Sequence, residues 1–390
     1  MSCTLRGHAR PAPERVRTDR QRQATSVDAA PLTLDEAMAY ALDLARRGPA
    51  HGPNPQVGCV LLAPAPGPDA PGIFARDVLA VGWHRGAGTP HAEADALARA
   101  EAAGVDVRGA TAVVTLEPCN HTGRTGPCAQ ALLDAGVGEV VVSVSDPNPV
   151  AAGGAEHLRA HGVEVRTGLM LDAGEELLRV WLASVRLGRP FVTLKTATSL
   201  DGCVAAADGS SRWITGPESR GHAHGVRATV DAILVGSGTV AADDPTLTAR
   251  PATGLADDHE RSSTTPVHQP LRAVMGERPV PDDARIRGDD GRFIHLTTHD
   301  VLEALARLAA LEVRHVLVEG GPTVATAFVS AGVVDEIHSY VAPVLVGEGR
   351  RVVGPLGGQS IDDAVRWSTS TVQRLGEDVL VVARAVRPPP

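Results

Sequence analysis

Pro118-Cys119-Asn120-His121-Thr122-Gly123-Arg124-Thr125-Gly126-Pro127-Cys128 joins an apolar run, residues 112–116, to a stretch of helical periodicity, residues 128–135. The reading is strand, loop, helix, with one Pro-Cys pair at the strand end and the other opening the helix. Upstream, His91-Ala92-Glu93 begins a second helical stretch, residues 92–103. α/β folds place their sites at such strand-to-helix junctions. One imidazole and two thiols can hold zinc tetrahedrally and leave the fourth position open for water. Helix N-termini favour thiolate over thiol, which helps Cys119 and Cys128 act as ligands with His91. Glu93 lies in the first turn beside the metal without being a ligand.

Working outward, residues 34–47 have apolar positions at helical spacing, with Asp35 and Glu36 placed to suit the helix dipole. Gly52-Pro53-Asn54-Pro55 breaks the chain before a strand at 57–62. Residues 63–72 read as a long hairpin loop and 78–83 as its return strand. A strand at 139–144, a helix ending at 158–161 and a short strand at 163–167 follow. This alternation predicts an α/β sheet whose second half is parallel. A helix at 173–187 leads to a second α/β pattern. Its strands are 191–195, 203–206, 232–235, 271–275, 315–318, 336–341 and 379–383, and its helices 218–228, 301–311 and 324–330. Residues 251–270 read as a surface insertion. The expected division is a disordered tail (1–31), a first domain (32–170), a linker helix (171–190) and a second domain (191–387).

A length of 390 residues favours two domains. The net charge of −9 and an aromatic content of 3% argue against a nucleic-acid-binding surface. Five cysteines, Cys3, Cys59, Cys119, Cys128 and Cys203, are too few and odd in number for a disulfide framework. They point to a reducing compartment, and the expected location is the cytoplasm. No apolar run is long enough to span a membrane. Residues 1–30 hold six arginines without an apolar segment, so they do not read as a secretory signal.

The H-x-E … P-C pattern resembles the zinc deaminases, which remove a ring amino group by hydrolysis. Zinc would lower the pKa of a bound water from about 15.7 to near 7, and Glu93 would carry the proton to the ring nitrogen and the departing amine. A structural zinc site is the competing reading. It normally has four closely spaced protein ligands, and His121 could supply the fourth. The eight residues between Cys119 and Cys128 differ from the usual P-C-x-x-C. Together with Pro53-Asn54-Pro55-Gln56-Val57-Gly58 and Gly86-Ala87-Gly88-Thr89-Pro90-His91-Ala92-Glu93, that gap is similar to the bifunctional pyrimidine deaminase/reductase (RibD/RibG) family of riboflavin biosynthesis. The resemblance covers roughly residues 34–385.

In the second half, Lys195 is the only lysine among 37 basic residues, and it stands before Thr196-Ala197-Thr198-Ser199-Leu200-Asp201-Gly202. Lysine's compact charge is not interchangeable with arginine's fork, which marks this position as functional. Val318-Glu319-Gly320-Gly321-Pro322-Thr323 runs from a strand through two glycines into a helix. Backbone amides at such a helix start can bind phosphate, although the G-x-G-x-x-G fingerprint is absent. Ser211-Arg212-Trp213-Ile214-Thr215 and Gly236-Ser237-Gly238-Thr239-Val240-Ala241-Ala242-Asp243-Asp244-Pro245 also resemble the family's reductase half.

The family resemblance implies a cytidine-deaminase-like three-layer α/β domain followed by a dihydrofolate-reductase-like α/β domain that uses NADPH. It implies substrate contacts at Asn54, His84, His121 and Arg124 in the first domain, and at Ser211, Arg227, Leu247, Arg250 and Glu319 in the second. It implies cofactor contacts at Ala197, Trp213, Thr239, Asp243, Gly321, Pro322, Thr323, Val324, Ala325, Thr326 and Ala327. Lys195 and Glu319 are the expected catalytic pair of the reductase and Glu93 that of the deaminase. The chain departs from the family at Met275-Gly276-Glu277, so no cofactor contact is carried over there.

The expected reaction is zinc-dependent deamination of a diaminopyrimidinone ribosyl phosphate, followed by NADPH-dependent reduction of its ribosyl unit to ribityl. A nucleic-acid base deaminase with an unrelated C-terminal domain is the alternative enzyme. A zinc-stabilised binding module is the non-enzymatic one. A homo-oligomer, dimer or tetramer, acting on a small molecule and without nucleic-acid or membrane partners, is expected.

Overall fold

The structure is a computed structural model that describes residues 30–65, 75–121, 126–149, 151–250 and 267–386. Thr33 starts the first helix with a capping box: its hydroxyl accepts from the Glu36 N–H at 3.3 Å, and the Glu36 carboxylate accepts from the Thr33 N–H at 2.9 Å. The helix, α1 (Leu34–Arg46), buries Ala37, Met38, Ala41, Leu42, Leu44 and Ala45, the apolar stripe expected from the sequence. Then come β1 (Gly58–Leu62), β2 (Val78–Trp83), α2 (Ala92–Ala103), β3 (Thr111–Leu116), α3 (Cys128–Asp134), β4 (Glu139–Val144), α4 (Gly154–Ala160) and β5 (Glu164–Thr167).

These strands form one sheet in the order β2-β1-β3-β4-β5. β1 is antiparallel to β2 and β3, whereas β3, β4 and β5 are parallel. Every residue of β1, β3 and β4 is buried, as strands covered on both faces must be. Val60, Val113 and Val141 pack against α1. Leu61, Val114 and Val142 pack against α2, α3 and α4.

Helix α5 (Leu171–Leu187) leads to the second half: β6 (Phe191–Ser199), β7 (Cys203–Ala206), α6 (Pro217–Arg227), β8 (Ala232–Gly236), α7 (Ser237–Asp243), β9 (Leu271–Met275), β10 (Phe293–Leu296), α8 (Val301–Ala309), β11 (His315–Val318), α9 (Pro322–Ser330), β12 (Glu336–Ala342), β13 (Gly349–Arg351), β14 (Trp367–Leu375) and β15 (Asp378–Ala385). Eight of them form a sheet ordered β10-β9-β8-β11-β6-β12-β15-β14. It is parallel from β10 to β12, and β15 is antiparallel to both β12 and β14. Leu305, Leu308 and Phe328 of α8 and α9 cover one face, and Val240 of α7 with Ile286 helps to cover the other.

Four differences from the sequence reading have physical causes. β6 continues past Lys195 to Ser199 because its second half pairs with β12, with Lys195 opposite His338. Backbone pairing sustains a strand there although the side chains are polar. β14 is exposed along nearly its whole length and so gives no apolar run to read. α7 buries only Val240. β10 and β13 are four and three residues long. Residues 1–29 of the expected tail, 66–72 of the expected loop and 251–266 of the expected insertion lie outside the described residues.

Candidate active sites in the two domains

In the first domain, Gly82 fixes where α2 begins. A Cβ built there would overlap the Ala92 carbonyl oxygen and the Ala96 nitrogen, so only glycine lets α2 lie directly on β2. That contact sets the depth of His91, the helix N-cap, and of Glu93 in the first turn. Cys119 follows the end of β3, and Cys128 is the first residue of α3. His91 Nδ1 lies 3.6 Å from Cys119 Sγ and 3.4 Å from Cys128 Sγ, and the three donor atoms lie within 4.8 Å of one another. Zinc bonds of about 2.3 Å to sulfur and 2.0–2.1 Å to nitrogen, at a tetrahedral angle, require an N···S separation of about 3.6 Å. The donor set therefore fits zinc in both chemistry and spacing. Among the described residues this is the one such cluster.

The electrostatics agree. The Cys119 thiol is held well below the usual range by hydrogen bonding from the Cys128 side chain, then from His91 and the Cys128 N–H. The same contact pushes Cys128 up, reinforced by burial, so the pair holds one thiolate before any metal arrives. Glu93 is 3% exposed, and burial raises its carboxyl to about 7. A carboxyl in that range can take and return a proton near neutrality.

A cavity of about 380 Å³ opens on the cluster, lined by Asn54, His84, His91, Glu93, Cys119 and His121 among others. His84 is buried, and both its ring nitrogens are committed. Nδ1 donates to the Pro90 carbonyl at 3.0 Å, which leaves Nε2 to accept from Asn54 Nδ2 at 2.9 Å. Burial also lowers its pKa, keeping the ring neutral. His84 thus lines the cavity with its ring nitrogens engaged by Pro90 and Asn54, and the Asn54 carboxamide oxygen makes no hydrogen bond among the described residues. His121 has a buried Nδ1 without a hydrogen-bond partner among the described residues. Arg124 lies outside the described residues.

The second domain gathers Lys195, Arg227 and Glu319 from β6, α6 and the end of β11. Arg227 grips Glu319 with both prongs, Nε to Oε1 at 2.6 Å and Nη2 to Oε2 at 2.8 Å. Lys195 Nζ stands 3.8 Å from Glu319 Oε2 and 5.7 Å from the Tyr340 ring centroid. Tyr340 in turn shares a 2.7 Å hydrogen bond with His222. Burial pushes the Glu319 carboxyl up, but Arg227 and Lys195 outweigh it and hold it at about 2. The remaining Arg227 Nη1 donates to the Thr248 carbonyl at 3.2 Å. Arg227 is therefore engaged within the protein, and Arg250, 3.5 Å from His224 Nε2, is the freer of the two arginines.

Gly320 and Gly236 explain the close approach of α9: a Cβ at either would overlap Val324. Gly321 caps α9, and a Cβ there would meet only Thr239 Oγ1, at 3.8 Å. The expected cofactor run divides into two. Gly321, Pro322, Thr323 and Val324 form the helix start, where Pro322 has no N–H and the first-turn N–H groups of the others have no partner within the helix. Ala325 points into the core, and Thr326 Oγ1 bonds the Pro322 carbonyl and the Gly354 N–H. Trp213 is 70% exposed beneath the Arg220 guanidinium, and Asp243 pairs with Arg212 at 3.6 Å. Ala197 packs beside Tyr340, and Ser211 lies just before Trp213. Leu247 has a buried side chain and a left-handed φ of 48°, so only its backbone can face a ligand. Sequence reading missed His222 and Tyr340; only their contact with each other and the lysine brings them to this site.

Residues 32–144 match the family described as the cytidine and deoxycytidylate deaminase zinc-binding region, and residues 190–381 match the RibD C-terminal domain. The chain is 44% identical over 354 residues to the riboflavin biosynthesis protein RibD of Mycobacterium tuberculosis, covering 90% of this chain and 96% of that one. It is 38% identical to RibD of Escherichia coli, over 88% and 96% of the two chains. The structure of Acinetobacter baumannii RibD superposes with a TM-score of 0.79 at 34% identity, covering 90% of this chain and 99% of that one. A diaminohydroxyphosphoribosylaminopyrimidine deaminase/5-amino-6-(5-phosphoribosylamino)uracil reductase from Thermotoga maritima gives 0.77 at 31% identity, over 90% and 99%. Both halves match one family, so a base deaminase joined to an unrelated domain is not favoured. Zinc cluster, lysine–glutamate pair and whole-chain similarity lead to one conclusion: this chain belongs to the RibD family, the bifunctional deaminase–reductases of riboflavin biosynthesis.

Proposed function

We propose that the first domain hydrolyses the 2-amino group of 2,5-diamino-6-(5-phosphoribosylamino)pyrimidin-4(3H)-one, and that the second reduces the ribosyl unit of the product to ribityl. The observation that carries the reading is one cavity holding the His91–Cys119–Cys128 donor set, the carboxyl of Glu93 and the carboxamide of Asn54. Bound zinc supplies Lewis acidity that makes water nucleophilic near neutral pH. Glu93, with its carboxyl near 7, accepts one proton of the attacking water and delivers it to the ring nitrogen, then carries the second, from the hydroxyl now on the ring carbon, to the amine, which departs as ammonia. Asn54, held by the neutral His84, presents its oxygen to the pyrimidine edge. His121 and Arg124 are assigned to the phosphate.

In the second domain NADPH supplies the hydride. Gly321, Thr323 and Val324 offer helix-start N–H groups to its phosphates, and Pro322, which has none, is assigned to contact the same ligand through its ring. Thr239, Ala197, Trp213 and Asp243 are assigned to the same ligand. Lys195 and Glu319 position the sugar carbon, with Lys195 handling the proton taken up beside it and the ionised Glu319 holding Lys195 in place, while Arg250, Ser211 and the Leu247 backbone hold the phosphosugar. The matched spans support domains at 32–170 and 191–387 joined by α5. A homo-oligomer in the cytoplasm, without nucleic-acid or membrane partners, completes the proposal. No described helix is long and apolar enough to cross a membrane.

The test is incubation of the purified protein with the diaminopyrimidinone ribosyl phosphate, with and without NADPH, followed by mass analysis. The deaminated ribosyl product is expected without NADPH and the ribityl product with it. Unchanged substrate in both arms refutes the proposal.

A further inference from the structure

The first domain's cavity is not closed by the first domain alone. Trp181 and Val185 of α5 form part of its wall, and so do Glu312 and Arg314 from the loop before β11 in the second domain. Arg314 is the one arginine or lysine among the described residues that line this cavity. Its buried Nε has no hydrogen-bond partner. Its guanidinium makes no ion pair among the described residues, Glu312 included. Arg314 is half-buried with its Nε shielded from solvent, and a planar pair of anionic oxygens entering the cavity would match the fork of its guanidinium.

The backbone beneath it is held firmly. Asp231 accepts from the N–H of Arg314 and from that of His315, both at 2.8 Å through Oδ2. Its other oxygen accepts from the Gly52 N–H of the first domain, two residues before Asn54. Trp181 Nε1 donates to the Pro53 carbonyl at 3.2 Å, and the rings of His51 and His268 stack at 3.5 Å. One carboxylate therefore fixes the Asn54 loop and the Arg314 loop in register across the domain boundary.

We infer that Arg314 is a substrate-binding residue of the deaminase, supplied by the reductase domain, and that it joins His121 and Arg124 in binding the phosphate of the phosphoribosyl pyrimidine. This inference rests on the substrate proposed above. Asn54 reads the pyrimidine edge near the metal cluster, and Arg314 holds the anionic end at the far wall. Deamination thereby depends on the second domain for affinity while its chemistry stays in the first.

The test compares wild type, Arg314→Gln and Arg314→Lys in deamination of the ribosyl phosphate and of the same compound stripped of phosphate. For Arg314→Gln, kcat/KM on the phosphorylated substrate should fall about ten- to hundredfold, the range for losing a hydrogen bond to a charged group. The fall should lie mainly in KM, and the dephosphorylated compound should change less than about threefold, within the context-dependent scatter of such contacts. Arg314→Lys should recover part of the loss, since the charge returns without the fork. Reductase turnover of the deaminated substrate, which does not use this cavity, checks that each variant is folded. Equal losses on both compounds, or none on either, overturn the inference while leaving the proposed function intact. If wild type releases no ammonia from the ribosyl phosphate, the functional proposal fails and the inference falls with it.

Discussion

Replacing Arg227 by methionine removes the strongest partner of a carboxylate whose side chain is 7% exposed. Glu319 sits at about 2 instead of its ordinary 4.5. At 1.36 kcal/mol per pH unit, that gap corresponds to about 3 kcal/mol, at the lower end of the roughly 3–5 kcal/mol expected when one partner of a buried pair is removed. Lys195, 3.8 Å away, still faces the orphaned charge, so the lower end is the better expectation. For a domain of this size the melting temperature should drop by about 6–12 °C. Differential scanning calorimetry on the full chain near pH 7 measures it.

The pH dependence carries the sharper check. A depressed folded pKa contributes stability that is fully present above 4.5 and is lost as pH falls toward about 2. The difference between wild type and Arg227→Met should therefore be largest above 4.5 and close on acidification; the other carboxylates are common to both proteins and cancel. Arg227→Met combined with Glu319→Gln should be more stable than Arg227→Met alone, because no buried charge is left unpaired. A melting shift under about 1 °C near pH 7, or one that does not vary with pH, would refute the claim that this ion pair sets the Glu319 carboxyl.

Glu93→Gln should keep its zinc, measured by elemental analysis, yet lower ammonia release by about 10²–10⁴-fold, the usual scale for losing a general acid–base group. NADPH oxidation with deaminated substrate should persist in the same variant. Gly82→Ala forces a Cβ into the Ala92 carbonyl and the Ala96 nitrogen; zinc content and deamination should fall together, with reductase turnover spared, and full zinc occupancy would contradict the packing argument. Cys128→Ser should lower zinc affinity and abolish deamination. Metal added back at high concentration should not restore wild-type rates, because the alkoxide is a far poorer zinc ligand at neutral pH than the thiolate.

Much of the deaminase site was legible because its ligands sit at local landmarks. His91 caps a helix, Cys128 opens one and Cys119 follows a strand, so the periodic patterns beside them located all three. Lys195 was legible from residue choice alone. The partners of His84 were not: which atoms meet its ring nitrogens depends on the fold, and they belong to Pro90 and Asn54. The cofactor run was legible as a strand–glycine–helix turn, but the burial of Ala325 depends on how α9 settles on the sheet.

The sequence by itself determined most of the strands and helices, the His91–Cys119–Cys128 donor set and the glycine turn, because each is written in residues close together along the chain. Hydrophobic period, capping and ligand spacing are short-range signals. Only the tertiary structure decided which distant residues share a site. Glu319 meets Arg227 across 92 positions, and Asp231 reaches Gly52 across 179. No local pattern records such meetings, since they follow from sheet order and from how two packed domains abut. That is why the metal centre could be read from the chain, while Arg314, the second domain's contribution to the first domain's cavity, had to be found in the fold.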